Sequence, residues 1–323
     1  MGTMKRIGVL TSGGDAPGMN AAIRAVVRSA LGHSVEVMGI QHGYAGLLTA
    51  DMRPMQRPDI VNIIQRGGTI LGTARSAEFA TEAGLNKAVD VLDQHQVDGL
   101  VLIGGDGTFR GASALAAAGG PPSVGIPGTI DNDVFGTERS LGFDTAVNTA
   151  LEAIDRVRDT AASHEMLHFV EVMGRHSGWL AVAAGLAGGA EAVLCPELPG
   201  RNEIVIERAA ATIANGKRAV LIVVAEGYEG GASAAAASIG PRLGLDYRIT
   251  SLGHIQRGGA PTAVDRMAGG ALGTAAVDAL VDGRSDLMVG MQGQAVVETS
   301  FATTCANRND VPDDLLALLQ RLA

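Results

Sequence analysis

The chain has 323 residues, of which 46% are apolar and 18% charged, and its formal net charge is −9. This length suggests about two domains, the apolar content excludes disorder, and the negative charge argues against bulk nucleic-acid binding while allowing a local basic pocket for anionic metabolites. The only cysteines, Cys195 and Cys305, exclude a disulfide framework and a cysteine-built zinc site, and fit a reducing cytosol. No apolar run reaches the length of a membrane span, since Glu191 and several glycines interrupt residues 180–194. The N-terminus lacks a signal peptide's apolar core, and Met1-Gly2-Thr3 reads as an extension ahead of Met4.

Strand-like runs alternate with helix-like runs. Residues 6–11 predict a strand, 17–31 a helix, 35–40 a strand, 85–95 a helix, 99–103 a strand, 110–118 a helix and 123–126 a strand. A second series follows a boundary near 140–143: helix 145–160, strand 168–172, helix 178–187, strand 192–194, helix 204–215, and strands 219–224 and 247–252. Residues 230–238 fit either a surface loop or a short alanine-rich helix. Such alternation predicts an α/β protein with largely parallel, doubly wound sheets covered by helices, whose ligands sit at the carboxyl ends of strands.

Three loops fall at those ends: Gly13-Gly14-Asp15-Ala16-Pro17-Gly18-Met19-Asn20, Gly104-Gly105-Asp106-Gly107-Thr108, and Pro127-Gly128-Thr129-Ile130-Asp131-Asn132-Asp133. Glycine lets backbone N–H groups approach a phosphate closely. Aspartate in the same loop repels phosphate unless a cation or a reacting hydroxyl stands between them. Together they point to phosphoryl transfer with Mg²⁺ and a carboxylate base. In a strand-like loop Asp131 and Asp133 would face the same side, and two such carboxylates cannot both be buried unpaired. No G-x-x-x-x-G-K-[ST] occurs, which disfavours a P-loop NTPase. No G-x-G-x-x-G follows a strand, which disfavours a dinucleotide dehydrogenase. No G-x-S-x-G elbow is present. A lone Gly-Gly-Asp is most often an ordinary turn; the coincidence of three loops at strand ends is what gives it weight.

With residues 171–178 and the run Leu252-Gly253-His254-Ile255-Gln256-Arg257-Gly258-Gly259, these loops make the sequence resemble the bacterial 6-phosphofructokinases from about residue 5 to 290. The resemblance implies two doubly wound domains with the active site in the cleft, an ATP/Mg²⁺ domain at 1–141 plus 257–305 and a sugar-phosphate domain at 142–256 plus 306–323. It implies transfer of the ATP γ-phosphoryl group to the 1-hydroxyl of fructose 6-phosphate, with ADP as the second product, in a cytoplasmic homotetramer that binds neither nucleic acid nor membrane.

Residue by residue, the resemblance makes Asp131 the general base, Gly14 a backbone donor to the transferring phosphoryl group, and Thr129 and Arg175 its electrostatic stabilisers. Arg75, Ser76, Gly105, Asp106, Gly107 and Thr108 join Gly14 around the nucleotide, with Asp106 and Asp133 as the Mg²⁺ acids. Met173, Gly174, Arg175, Glu226, His254 and Arg257 join Thr129, Asp131 and Asp133 around the sugar phosphate, and Arg248 is lent by a neighbouring subunit. Alone, His254 would read as structural and Arg248 as a solvated charge. Relatives that use pyrophosphate carry Asp where Gly107 stands and Lys where Gly128 stands, so both glycines imply ATP.

Two positions depart from the family pattern. Met166 stands where an arginine reaches the sugar 6-phosphate, which implies weaker affinity or a related sugar phosphate. Arg24, Arg28, Arg57, Arg158, Glu191 and Lys217 match an effector pocket for ADP or phosphoenolpyruvate, but Asn215 replaces one of its lysines. The plainer account of those charges is ion pairs on helix faces.

Overall fold

The computed structural model describes residues 4–164, 166–217 and 219–322; Met1-Gly2-Thr3, the expected extension, lie outside the described residues. The chain divides into two compact units, unit 1 comprising 1–129, 134–145 and 257–309, and unit 2 comprising 130–133, 146–256 and 310–323.

Unit 1 starts with β1 (Arg6–Ser12), α1 (Met19–Gly32), β2 (Glu36–Ile40), α2 (Gly43–Leu48), β3 (Met52–Pro54), α3 (Glu82–Gln94), β4 (Gly99–Gly104), α4 (Asp106–Ala117), β5 (Ser123–Thr129) and β6 (Leu141–Gly142). The helix α5 (Phe143–His164) carries the chain into unit 2, which holds β7 (Leu167–Val172), α6 (Trp179–Ala187), β8 (Ala192–Leu194), α7 (Asn202–Ala214), β9 (Val220–Ala225), α8 (Gly231–Leu243) and β10 (Tyr247–Ser251). The chain then returns to unit 1 for α9 (Ala263–Val281), β11 (Leu287–Gln292), β12 (Ala295–Ser300) and α10 (Phe301–Ala306), and ends in unit 2 with α11 (Asp313–Leu322).

The sheet of unit 1 has the order β12-β11-β5-β4-β1-β2-β3, with β6 added beside β5. Its centre is parallel, and only the edge strands β3 and β12 run antiparallel. Central strands buried on both faces need continuous apolar runs; Ile7, Val9 and Leu10 of β1 and the 100–103 run of β4 meet that demand with no exposure. The sheet of unit 2, order β10-β7-β9-β8, is parallel throughout. Its core packs Leu167, Phe169, Ile222 and Val224 against Ala232, Ala235, Ala236 and Ile239 of α8.

Two elements differ from the sequence expectation in ways that bear on the site. The helix expected at 110–118 begins at Asp106, so Asp106, Gly107 and Thr108 form its first turn rather than a free loop. Residues 130–133 are not extended: β5 ends at Thr129 and Asn132 adopts a left-handed φ of 53°. Strand alternation therefore does not govern Asp131 and Asp133.

In unit 1 a buried carboxylate fastens the start of α5. Asp265, in the first turn of α9, accepts the N–H groups of Gly142 and Thr145, each at 2.9 Å, and the Thr145 hydroxyl. An anion at a helix N-terminus satisfies donors that have no partner within the helix. Burial pushes the Asp265 carboxyl above its ordinary range, and these hydrogen bonds oppose the shift. Asp265→Ala leaves those donors without an acceptor and is expected to cost about 2–3 kcal/mol in denaturant unfolding, with Asp265→Asn losing less because one acceptor oxygen remains.

Candidate active site

The site in unit 1 begins with strand pairing. β1 and β4 are parallel neighbours with Thr11 beside Ile103 and Ser12 beside Gly104, so the loops after them leave the sheet side by side. β2 lies on the other side of β1, and strand order reverses between β1 and β4. Open α/β sheets bind ligands at such a switch point.

Gly14 is glycine because Arg257 lies over it. A Cβ there would sit 2.8 Å from Arg257 Cζ and nearer still to Nη1. Nη1 donates to the Asp15 carbonyl at 3.2 Å. A residue expected at the transferring phosphoryl group and one expected at the sugar phosphate thus share one spot. The Thr73 hydroxyl donates to the Gly13 carbonyl at 2.6 Å and fastens the segment that carries the exposed Arg75. The Ser76 hydroxyl accepts the Phe79 N–H at 3.1 Å, capping a short turn. Thr73 was not among the expected residues; nothing in its local sequence marks it, and only the fold brings it to Gly13.

At the second loop, Gly105 caps α4 without a side-chain bond, and the helix presents its first turn at the end of β4. Backbone N–H groups and the helix dipole favour an anion at such a terminus. The buried Thr108 hydroxyl donates to the Ser12 carbonyl at 3.2 Å, and the Tyr44 hydroxyl donates to the Thr108 carbonyl at 2.6 Å. Burial raises the Tyr44 phenol above its ordinary range and keeps it a neutral donor. Thr108 therefore ties the two loops together. Asp106 accepts from Arg110 Nε at 2.7 Å through Oδ2, while its Oδ1 is buried without a hydrogen-bond partner. Gly107 has open space where a side chain would go, whereas a Cβ at Gly128 would lie 3.0 Å from Met19 Cε and 3.1 Å from Ile103 Cγ2.

Thr129 ends β5, and its carbonyl accepts the Ser140 hydroxyl at 2.7 Å. Asp131 is 7% exposed and Asp133 half-buried.

Unit 2 contributes its own cluster. β7 and β9 pair with Val172 beside Ala225, so the loops after them are neighbours. The Met173 N–H donates to Gln256 Oε1 at 2.8 Å, and the Arg175 N–H to Glu226 Oε1 at 2.8 Å. Arg175 holds a left-handed φ of 57°, a costly conformation for a residue with a side chain. Gly174, at φ 136°, has no room for a Cβ because the Ser177 carbonyl stands against it. Glu226, expected at the sugar phosphate, thus fixes the backbone that aims Arg175. Gln256 is fully buried, and its Nε2 has no hydrogen-bond partner. Its segment was singled out for His254 and Arg257, and only the fold shows the glutamine turned toward Met173.

His254 and Arg248 are exposed, and Arg248 Nη1 donates to the Tyr247 carbonyl at 2.9 Å. Met166 is half-buried just before β7. Of the expected effector set, Arg24, Arg28 and Arg57 belong to unit 1. In unit 2, Glu191 pairs with Lys217 and, at 3.5 Å, with Arg158, and its second oxygen accepts the Leu221 N–H at 2.6 Å.

The sequence matches the phosphofructokinase family over residues 6–280. The chain belongs to the phosphofructokinase family. It is 57% identical over 321 residues to a Thermus thermophilus protein named ATP-dependent 6-phosphofructokinase 1, covering 99% of this chain and 100% of that one. It is 49% identical over 320 residues to the ATP-dependent 6-phosphofructokinase of Brevibacillus brevis, again over 99% and 100% of the two chains. Among solved structures, phosphofructokinase from Saccharomyces cerevisiae aligns with a TM-score of 0.88 at 34% identity, covering 94% of this chain and 45% of that one. A pyrophosphate-dependent phosphofructokinase from Marinobacter aquaeolei aligns with a TM-score of 0.85 at 25% identity, covering 99% and 91%. The phosphofructokinase fold therefore serves both donors, and donor choice must lie in side chains. A side chain at Gly128 would press on Met19 and Ile103, whereas one at Gly107 would enter open space.

Gly14→Ala tests the Arg257 contact. The clash is with the end of a flexible side chain, so the fold should persist while the guanidinium shifts. Steady-state kinetics should show roughly a 10²-fold loss in kcat/KM, the scale expected for a misplaced site group, with the unfolding midpoint nearly unchanged.

Proposed function

We infer that the chain transfers the γ-phosphoryl group of ATP to the 1-hydroxyl of fructose 6-phosphate, giving fructose 1,6-bisphosphate and ADP, as a kinase of glycolysis. The observation that carries this is the placement of two glycine–aspartate loops at the ends of adjacent strands β1 and β4, in a chain 57% identical over its length to a protein named for that reaction.

In this account Asp131 accepts the proton of the 1-hydroxyl as the oxygen attacks phosphorus. Its burial supports the role, since a carboxylate screened from water holds its proton acceptor toward one partner. Gly14 N–H, Thr129 and Arg175 stabilise the charge spread over the transferring group. Gly105, Gly107, Thr108, Arg75 and Ser76 receive the nucleotide; Met173, Gly174, Glu226, His254 and Arg257 receive the sugar phosphate. Unit 1 is the nucleotide domain and unit 2 the sugar-phosphate domain. Arg248 serves a neighbouring subunit of a homotetramer, and the enzyme works in the cytoplasm. Among the described residues no helix is long and apolar enough to cross a membrane.

The donor set fits Mg²⁺. Among the described residues no group of three or more His, Cys, Asp or Glu side chains could hold a metal ion. Mg²⁺ does not need such a cage, because it keeps waters and takes one or two carboxylates with phosphate oxygens. The unpartnered Oδ1 of Asp106 is a buried anionic oxygen that a cation would satisfy. Asp106 and Asp133 would hold the ion, which when bound neutralises charge on the donor phosphates.

Arg24, Arg28, Arg57, Arg158, Glu191 and Lys217 form the proposed effector set for ADP or phosphoenolpyruvate. Glu191 already neutralises part of the cationic charge in unit 2, so an anionic effector would compete with an internal carboxylate there.

Initial velocities with fructose 6-phosphate and Mg²⁺ test the assignment. Turnover is expected with ATP and not with pyrophosphate; the reverse would refute the donor choice, and turnover with neither would refute the reaction. In the same assay Met166→Arg should lower the KM for fructose 6-phosphate about tenfold, by adding a charge-assisted phosphate contact. An unchanged KM would dismiss Met166 as the cause of weak binding.

A further inference from the structure

The acid expected to meet the metal is already held by another cation. Arg110 lies one helical turn after Asp106 on α4, and its Nε donates to Asp106 Oδ2 at 2.7 Å. The other end of the same guanidinium is fixed: Nη2 donates to the Cys305 carbonyl on α10 at 2.6 Å. The arginine is thus anchored at two points on two helices, although its side chain is 60% exposed. Arg110 donates this bond to a carboxylate, which favours its charged form. The nearby Cys305 thiol is pushed up by burial, then by the Asp106 charge and by its hydrogen bond to that carboxylate, while Arg110 opposes the shift.

Asp106 therefore has one oxygen engaged by Arg110 and the other buried without a partner. A hard divalent cation needs a carboxylate oxygen and repels a guanidinium on the same group. We propose that Arg110 competes with the metal for Asp106, occupying the carboxylate until the metal displaces it, and so sets the metal concentration the enzyme requires. This rests on Asp106 being a metal acid. The pair also has a use before the metal arrives: it cancels a negative charge in the first turn of α4, where the N-terminal N–H groups favour an incoming phosphate. The Cys305 carbonyl keeps the displaced guanidinium close, ready to return when metal and product leave.

The experiment is Mn²⁺ binding to the full chain at low salt, read from the electron paramagnetic resonance signal of free Mn²⁺, for wild type, Arg110→Met, Arg110→Lys and Asp106→Asn. Arg110→Met should bind Mn²⁺ about two- to fivefold more tightly, the range an exposed ion pair commands, and Arg110→Lys should stay near wild type because it keeps the charge. Arg110→Gln replaces the methionine variant if thermal unfolding shows that to be damaged. Unchanged or weaker binding in both neutral variants would overturn the proposal and make Arg110 a residue that positions Asp106. Asp106→Asn separates the two levels. If it weakens Mn²⁺ binding while the Arg110 variants do nothing, only the competition is wrong. If it too leaves binding unchanged, the metal assignment fails and the proposal with it.

Discussion

A phosphate can be held by backbone alone only where a bare chain comes close to it, and the parallel pairing of β1 with β4 sets two glycine loops side by side. The register sets Ser12 against Gly104, and glycines follow at once, Gly13-Gly14 after β1 and Gly105 after β4. The contacts around these two loops depend on this pairing. Thr108 bridges the two loops through the Ser12 carbonyl, Thr73 holds the first loop from the side, and Arg257 lies in the space that Gly14 leaves by having no side chain. The buried apolar strands fix where the loops start, and short polar contacts fix where they go.

Unit 2 solves a different problem, aiming an arginine. Its backbone after β7 is wound tightly enough that Gly174 admits no Cβ and Arg175 takes a left-handed φ. Such conformations persist only where neighbours over-determine them. Glu226 and Gln256 do so by accepting the N–H groups on either side of Gly174, those of Arg175 and Met173. The carboxylate of Glu226 thus acts first on the backbone, and the arginine side chain remains exposed.

Much of this was legible in the sequence because strands buried on both faces read as apolar runs and phosphate loops need glycine. Three kinds of feature were not. Helix starts made of loop-like residues were hidden: Asp106-Gly107-Thr108 reads as loop, yet aspartate is well placed in a helix's first turn and the strand end dictates where α4 begins. Helices rich in small residues were ambiguous. Residues 231–243 are helical, their alanines outweighing the glycines and serine. The glycines of α9 allow close approach, since a Cβ at Gly273 would lie 2.7 Å from the Ala22 carbonyl of α1. Residues acting across long sequence separations left no local mark: Asp265 reaches Thr145, Gln256 reaches Met173, and Thr73 reaches Gly13. The strand-like reading of 130–133 failed for the opposite reason, a local one, because asparagine tolerates the left-handed turn that breaks alternation.

The central claim is that a buried carboxylate after β5 receives the proton of the sugar hydroxyl. The most direct test is kcat for ATP and fructose 6-phosphate in Asp131→Ser, which removes the base and leaves a small polar side chain. The account predicts that kcat falls by roughly 10²–10⁴-fold while the KM for each substrate changes little. A kcat within a few-fold of wild type would contradict it, and Asp131 would then be a buried structural acid.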